Sequence, residues 1–479
     1  MRITEHGVWP TRRLYSRLLV VVALLAIALA WLPAAGAPYQ YDDYVTPVKD
    51  PASQSLTSFA RSVPGTLRPL TKLTFAAESS LGVLDAPGRR ALNGVLFLIS
   101  AALLAQLARL SGLGPKAALA LATLWACHPV HAELVVALAG RSVLLALCLT
   151  LASAMFLVQK RTGPALVCAV LALLARETAW PWLVVCAGLS AAPRGRTRIL
   201  AVVALTTALG GALVLSSRLR DLLAFSYQDA SALNRLGLQW AALPRGLLLW
   251  LFEPQAFAVD IEFAPRGWLR FGYVLGALAL YGLAGWLALR RGASRAERVA
   301  ALLWLCLVVP LHSVVPKLDP LTARDVSASS AAIVMLLSAA LARGLAWSER
   351  WGQRAATRER ALARATTRTG APIAFWLSVS ALLVGLVSLS RERAKLYLDP
   401  IALWSDAAAR SRQKTRPLIN LGTLLAQNGR LSEARRALVE ATRRNPRDSE
   451  ARERLAAVQV LIETRKLLTV PDQGATIER

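Results

Sequence analysis

Acidic residues are scarce in this sequence, which has 29 Asp and Glu against 56 Lys and Arg and a formal net charge of +27. Such an excess is compatible with nucleic-acid binding, but the basic residues lie in short clusters between apolar runs. No basic domain with stacking aromatic residues is present, so the sequence argues against a nucleic-acid partner. Basic clusters that alternate with apolar runs are typical of membrane proteins, whose cytoplasmic loops are positively charged.

Cysteine and histidine are also scarce, with five and four residues. All the cysteines lie inside apolar runs without paired spacing, which predicts free, buried thiols. They are Cys127, Cys148, Cys168, Cys186 and Cys306. The His-x-x-His-x-Glu spacing from His128 to Glu133 can offer zinc ligands, but no further ligand cluster accompanies it. We therefore predict no metal site from these residues.

Apolar residues are abundant, at 55% of the chain, and apolar runs recur from Leu18 to Ser390. One soluble core cannot account for so many runs, so we predict an all-α polytopic membrane domain over residues 1–390. Taking the basic clusters as cytoplasmic gives about eleven crossings, with the N-terminus inside and the C-terminus outside. The predicted crossings are residues 18–35, 91–109, 117–127, 142–159, 164–175, 180–192, 199–217, 271–289, 299–316, 330–347 and 371–390.

Two apolar segments decide how the loops are placed. A single crossing over residues 164–190 would put the basic cluster at 194–198 outside, against the charge rule. We therefore predict a hairpin of two short helices with Arg176 and Glu177 at its outer turn. The short run at 243–252 contains a proline and is predicted to be an outer re-entrant or interfacial segment.

Two other segments leave alternatives open. The first apolar run precedes Ala-Gly-Ala at residues 35–37, which can be a signal-peptidase site, and either outcome leaves the next loop outside the cytoplasm. Residues 117–139 form either a short crossing followed by a separate short helix, or one kinked crossing that holds both histidines in the bilayer. Both readings of this second segment give the same topology.

The composition after residue 390 changes to that of a soluble helical module. RPLINLGTLLAQNGRLSEARRALVEATRRNP, residues 416–446, has small and apolar residues at the offsets of a tetratricopeptide repeat. They are Leu421, Gly422, Gly429, Ala434, Leu438, Ala441 and Pro446. One full repeat is clear within residues 391–479. Because about three repeats are needed for a continuous core, its ends must be capped by atypical helices or by the membrane domain.

Polar groups concentrate in four outer segments: YDDYVTP (41–47), RPLTKLTFAAES (68–79), HPVHAELVVALAGR (128–141) and ARET (175–178). Pro129 suits the first turn of a helix and Gly140 the position after its end, so the third segment predicts one short helix. Structural roles compete with functional ones here. The acid pair is compatible with a solvated loop, and the histidines with satisfying backbone groups at a helix junction.

The order and spacing of these motifs resemble the transmembrane and tetratricopeptide-repeat (TMTC-type) O-mannosyltransferases of the GT-C superfamily. The resemblance extends over nearly the whole chain and includes LYLDPIALWSDAAARS before the repeat. Two departures stand out. Arg176 occupies the place of the family's usual lysine, and the aromatic-rich element of the family corresponds to TARDVSASS (322–330), which lacks tyrosines. Only Arg324 carries over there.

The resemblance implies inverting transfer of a sugar, with mannose expected, from a polyprenyl-phosphate carrier to a protein hydroxyl. Inversion requires a carboxylate base, for which Asp42 and Asp43 are the candidates and Asp43 is favoured. The residues expected to bind the carrier phosphate or the sugar are His128, His131, Glu133, Arg141, Arg176, Glu177, Glu78, Arg68 and Arg324. No cofactor is expected beyond the donor, although a divalent metal is left open.

The resemblance also implies a bacterial inner-membrane protein with a lipid-facing groove for the carrier and periplasmic repeats that recruit a protein acceptor. A non-catalytic membrane scaffold that binds partners through its repeats is the alternative, and it would need none of the polar set. A transporter is disfavoured because the sequence shows no duplicated halves. A nucleotide-sugar enzyme is disfavoured because no cytoplasmic globular domain is long enough.

Overall fold

The computed structural model describes residues 9–63, 66–190, 221, 224, 232–308, 319–355 and 370–469. All regular elements in these residues are helical, as predicted. Contacts divide the chain into two compact units, Met1–Gln255 with Phe263–Lys395, and Ala256–Glu262 with Leu396–Arg479. A seven-residue segment from the middle of the sequence therefore belongs to the second unit.

The first unit contains the apolar helices. Its helices are α1 (Trp9–Trp31), α2 (Leu56–Ser62), α3 (Pro69–Ser80), α4 (Ala86–Leu110), α5 (Pro115–Ala126), α6 (Ala132–Val136), α7 (Arg141–Val158), α8 (Thr162–Ala175), α9 (Trp180–Ser190), α10 (Ala232–Phe252), α11 (Gly267–Leu289), α12 (Arg295–Val308), α13 (Ala323–Ala355) and α14 (Gly370–Leu396).

Six helical segments are long and apolar enough to cross a membrane. They are Arg17–Ala34, Ala86–Leu110, Leu138–Val158, Gly267–Leu289, Ala323–Gly344 and Phe375–Leu396. A bent pair, α5 with Pro129–Val136, makes a seventh if its two parts form one span with a 54° break. The predicted count of about eleven is not confirmed. The predicted crossing 199–217 and part of 299–316 lie outside the described residues, and α8 is shorter than a span.

Small residues explain how α8 approaches α7. Ala165, Ala169 and Ala172 recur at three- and four-residue spacing on one face of α8 and are completely buried. Such a stripe lets two helix backbones come close in an apolar environment. The Ser153 hydroxyl on α7 donates a hydrogen bond to the Ala165 carbonyl at 2.7 Å, which the close approach permits.

The predicted break between the two short helices is present. Helix α8 ends at Ala175, Arg176 has extended backbone angles, and one 3-10 turn precedes α9. The segment at 243–252 is the second half of the 21-residue helix α10, and its re-entrant or interfacial position stays a prediction. Helix α10 continues through Pro244 and is not among the six candidate spans.

The second unit consists of α15 (Pro400–Arg410), α16 (Arg416–Gln427), α17 (Leu431–Arg444), α18 (Ser449–Thr469) and the segment 256–262. Helices α16 and α17 pack antiparallel through a glycine on one side and a leucine on the other. A Cβ atom at Gly422 would lie 2.6 Å from Cγ of Leu438, so only glycine permits this approach. Ala434 and Ala441 are completely buried beside it. The small residues of the repeat pattern thus set the spacing of the two helices.

Candidate functional site

The segment from His128 to Arg141 is three short pieces, and the predicted single helix is wrong. A 3-10 turn at Pro129–His131 leads into α6, and a second 3-10 turn, Leu138–Gly140, precedes α7. Gly140 does not follow a helix end. It is needed because a Cβ atom there would lie 2.8 Å from the Leu134 carbonyl oxygen. The backbone therefore folds back tightly on itself at the entrance to α7.

The two histidines are buried in packed protein. His128 Nδ1 accepts from the Val130 backbone N–H at 3.1 Å, and its Nε2 lies 2.9 Å from the Trp250 carbonyl oxygen. His131 Nδ1 lies 2.6 Å from the Ser327 hydroxyl, and its ring packs 4.3 Å from that of Trp125. Exposure is 5% for His128 and zero for His131. These contacts suit a structural role at a helix junction, and the ligand-binding role expected for the two histidines stays a prediction.

Arg141 is also enclosed. Its Nη1 donates to Glu78 at 2.7 Å, its Nε to the Asn93 side-chain oxygen at 2.9 Å, and its Nη2 to the Arg89 carbonyl at 2.6 Å. The guanidinium also stacks 3.8 Å from the Phe75 ring centroid. Every nitrogen has a protein acceptor and the side chain has no exposure. Arg141 and Glu78 therefore form an ion pair inside the protein, and their expected contacts with a ligand stay a prediction.

Asp43 connects two backbone segments. Its carboxylate accepts from the Gln40 N–H at 2.9 Å and from the Ala139 N–H at 2.8 Å, and its side chain is completely buried. Burial raises the pKa of Asp43 above its ordinary value, although the two backbone hydrogen bonds oppose this shift. Both carboxylate oxygens are occupied by backbone donors, so Asp43 holds the turn at 40–43 against residues 137–140.

Asp42, unlike Asp43, is partly exposed and belongs to a series of connected ion pairs. Its side chain is 54% exposed, and its Oδ2 lies 3.6 Å from Arg324 Nη1. The Nε of the same arginine lies 2.9 Å from Oε1 of Glu133, which is mostly buried. The second oxygen of Glu133 is buried without a hydrogen-bond partner among the described residues. Asp42 and Glu133, which are distant from each other in sequence, thus both contact Arg324.

A second ion pair lies beside Arg176. Arg68 binds Glu177 through two parallel hydrogen bonds of 2.8 and 2.5 Å. Burial raises the pKa of Glu177, but the hydrogen bonds and charge of Arg68 outweigh it and lower the pKa to about 2. Arg176 donates to the Ser142 hydroxyl at 2.8 Å. Burial, together with the charge of Arg68, lowers the pKa of Arg176 to about 10, so this half-buried guanidinium remains charged at neutral pH.

The charges of these residues act on one another, so they form one neighbourhood, which we call the outer charge cluster. It consists of Asp42, Glu133, Arg324, Arg68, Arg176 and Glu177. Sequence reasoning missed Asp325, whose charge acts on both Arg176 and Glu133, and Asp319, which acts on Glu133. Asp325 lies in the first turn of α13 beside Arg324, inside a motif whose departure from the family pattern hid it.

A small apolar cavity of about 50 Å³ lies next to this cluster. Its lining comes from α10, α11, α12, α13 and the residues just before α13, and includes Trp240, Tyr281, Leu307 and Leu321. Asp325 also lines it, so the cavity and the outer charge cluster share a residue neighbourhood. Within the described part of the chain, no group of three His, Cys, Asp or Glu side chains is placed to hold a metal ion.

Comparison with known proteins identifies one part of the chain. The family model for the tetratricopeptide repeat matches residues 416–458, which include α16, α17 and the start of α18. No curated protein and no solved structure matches the chain. The predicted repeat is therefore confirmed. The chain combines several long apolar helices, typical of membrane proteins, with a C-terminal tetratricopeptide repeat.

Proposed function

We propose that this protein is a membrane glycosyltransferase that transfers a sugar, with mannose the expected one, from a polyprenyl-phosphate carrier to a protein hydroxyl. The observation that carries the proposal is the outer charge cluster, in which an exposed carboxylate lies beside cations at the edge of an apolar cavity. Such a combination suits a substrate that is anionic at one end and a long hydrocarbon at the other.

The base in this proposal is Asp42. Inversion at the sugar carbon requires a carboxylate that can reach the acceptor hydroxyl and take its proton. Asp42 is 54% exposed, and its contact with Arg324 at 3.6 Å leaves lone pairs available. Asp43 is favoured on the sequence alone, but both of its carboxylate oxygens accept hydrogen bonds from backbone N–H groups inside the protein. Its part is to orient the turn that presents Asp42.

The leaving group is the carrier phosphate, which needs positive charge to stabilise it as the bond breaks. Arg176, Arg324 and Arg68 supply that charge in the proposal, and each is partly accessible. Planar guanidinium groups bind phosphate oxygens in pairs, which favours arginine at such a position. Glu177 and Glu133 then hold Arg68 and Arg324 in place until a phosphate arrives.

The apolar cavity supports a lipid-linked donor. A prenyl chain has no hydrogen-bonding groups, and the cavity is lined mainly by apolar side chains from four helices. Asp325 at its edge is near enough to Arg176 for their charges to interact. A phosphate bound at the arginines would therefore have a small apolar surface beside it, against which the start of a prenyl chain could pack.

The repeat supplies the acceptor side of the proposal, since tetratricopeptide repeats bind proteins. Catalysis on the outer face of a bacterial inner membrane requires the repeat to be periplasmic. A reporter fused after Ala441 in the full chain is then expected to behave as exported. Cytoplasmic reporter activity at that position would contradict the proposed geometry.

The tetratricopeptide match also favours a second candidate, a non-catalytic membrane scaffold that recruits proteins. In a scaffold, the ion pairs of the outer charge cluster would be structural only. The two candidates differ in one measurable respect. A scaffold leaves labelled sugar on its carrier however much folded protein is present.

The direct test incubates membranes containing the full chain with polyprenyl-phosphate mannose labelled in the sugar and follows label into protein. We expect transfer by the wild type and nearly none by Asp42→Asn. Glu392→Gln, which removes an exposed carboxylate paired with Lys395, is the matched control and should transfer normally. Transfer from a nucleotide-linked sugar instead, or no transfer from any lipid-linked sugar, would overturn the proposal.

A further inference from the structure

The segment 256–262 is bound to the second unit in the way a peptide ligand is bound. It has no helix or strand beyond Ala256, yet Phe257, Ala258 and Ile261 are at most 8% exposed. Its contacts come from residues about 150 positions later in the sequence. Such an irregular segment, buried through side chains at intervals, is typical of peptide recognition by a surface of the protein.

The acidic side chains of the segment are held by a single connector, residues 411–416 between α15 and α16. The Asp260 carboxylate is completely buried and lies 2.5 Å from Lys414 Nζ and 2.6 Å from Arg416 Nη2. The Glu262 carboxylate accepts from the backbone N–H groups of Arg412 and Gln413. One acid is thus bound by cations and the other by main-chain donors, which is how proteins select carboxylates without a metal.

The connector also contacts the main chain of the segment. Lys414 Nζ donates to the Ile261 carbonyl oxygen at 2.9 Å, in addition to its contact with Asp260. The connector is also hydrogen-bonded to α17, because Arg444 donates to the carbonyls of Ser411 and Lys414. Helix α17 therefore helps to position the connector independently of the segment.

We propose that residues 411–416 form a binding site for an acidic peptide of the pattern Asp-apolar-Glu, and that segment 256–262 is its in-chain ligand. The site carries two cations for one buried acid, and these cations remain 22% and 43% exposed. They can therefore be solvated when the segment leaves. A protein partner with an acidic, apolar-flanked segment would exchange with residues 256–262, and this holds whether or not sugar transfer occurs.

The in-chain ligand should weaken binding of any free peptide, because a tethered competitor has a high effective concentration. The probe is a fluorescent peptide, PQAFAVDIEFAP, copied from residues 254–265. Binding to the full chain in detergent is followed by anisotropy. We expect the release variant Asp260→Asn with Glu262→Gln to bind the probe at least about tenfold more tightly than the wild type.

Three controls define the site. Adding Lys414→Ala and Arg416→Ala to the release variant should abolish the gain, and a probe with Asn and Gln in place of its acids should not bind. Glu433→Gln, which alters an exposed ion pair elsewhere in the second unit, should leave probe binding at the wild-type level. A folded release variant with unchanged affinity, or a gain that persists without both cations, overturns the proposal.

Hydrogen exchange of the wild type covers the case in which the release variant does not fold. Saturating unlabelled peptide should speed amide exchange in residues 257–262 by about tenfold, because displaced backbone loses its protection. The amides of Arg412 and Gln413 should stay protected, because the incoming peptide replaces Glu262. An unchanged rate of amide exchange in 257–262 at saturating peptide would mean that the segment is a permanent part of the unit. That result would contradict the proposed displacement of the segment by a peptide.

Discussion

Two charged groups of the first unit use the same side-chain types in opposite ways. Arg141 and Glu78 are enclosed, with every guanidinium nitrogen satisfied by protein acceptors. Arg324 and Asp42 are partly exposed and 3.6 Å apart. Buried pairs are costly to break and rarely free to bind, whereas half-exposed pairs contribute little stability and can exchange partners. The contrast separates residues that build the site from those proposed to act in it.

The largest effect should come from breaking the enclosed pair. Arg141→Ala leaves Glu78 with a buried, unpaired carboxylate and should lower the free energy of unfolding by about 3–5 kcal/mol. Denaturant unfolding of the purified protein in detergent measures the change. Arg109→Ala, which removes an exposed arginine at the end of α4, is the matched control and should have little effect. Equal stability of the two variants would mean that the enclosed pair is not structural.

The neighbouring aspartates test the same contrast within two residues. Asp42→Asn should lower turnover by about a hundredfold or more with a normal yield of folded protein, because general-base catalysis contributes on that scale. Asp43→Asn should instead lower the folded yield, since one oxygen that accepts a backbone N–H becomes an amide nitrogen. Turnover per folded molecule separates the two outcomes. If Asp43→Asn gives folded protein without turnover while Asp42→Asn is active, the assignment of the base is reversed.

Arg176 lies between the two classes, since it is half-buried and donates a hydrogen bond to a neutral hydroxyl, that of Ser142. Arg176→Ala should weaken carrier binding by about tenfold, as expected for loss of one hydrogen bond to a charged group. Arg176→Lys, which keeps the positive charge, should retain much of the affinity. Normal carrier affinity and turnover per folded Arg176→Ala molecule would show a purely structural role.

The smallest effect is expected in the pH dependence of stability. The pKa of Glu177 is lowered from 4.5 to about 2, so its pairing with Arg68 stabilises the fold above pH 4.5 and is lost as the pH falls towards 2. Because Arg68 is 37% exposed, the contribution should be below about 1 kcal/mol. Glu177→Gln should therefore flatten the melting temperature between pH 4.5 and 2. A steeper dependence in the variant would contradict the pairing.

Asp43 should act with the opposite sign. Its pKa is raised by burial, so the folded protein binds this proton more readily than the unfolded chain does. Its contribution to stability therefore increases as the pH falls through the raised pKa. Melting curves of Asp43→Asn against the wild type should lack that increase, and an unchanged acid response would show that Asp43 does not titrate in the folded state.

Features that depend on residues close together in the chain could be predicted from the sequence. The repeat followed from small residues at fixed offsets, because Gly422 and Ala434 decide how closely two adjacent helices pack. The break at Arg176 followed from the charge rule for loops. Both depend on residues near one another in the chain, and periodicity reports such contacts directly.

Contacts between segments that are distant in the chain could not be predicted from the sequence. Which of two adjacent aspartates is buried depends on the Ala139 N–H, 96 residues away. Gly140 looked like a helix end but is required by close approach to the Leu134 carbonyl. The two histidines looked functional because polar residues are rare in apolar runs, yet their partners are a carbonyl on α10 and a hydroxyl on α13. Pattern alone cannot place partners that the fold brings from elsewhere.

Arg68 has a left-handed backbone, with φ of 58° and ψ of 52°, directly before Pro69. A residue other than glycine in this region stores about 1–3 kcal/mol of strain and persists only where its surroundings hold it. Here the side chain of the strained residue is clamped by Glu177. An anion that draws the guanidinium of Arg68 away also removes the clamp from its own backbone. Anion binding and the conformation at the start of α3 are therefore linked equilibria, and each should shift the other by the same factor.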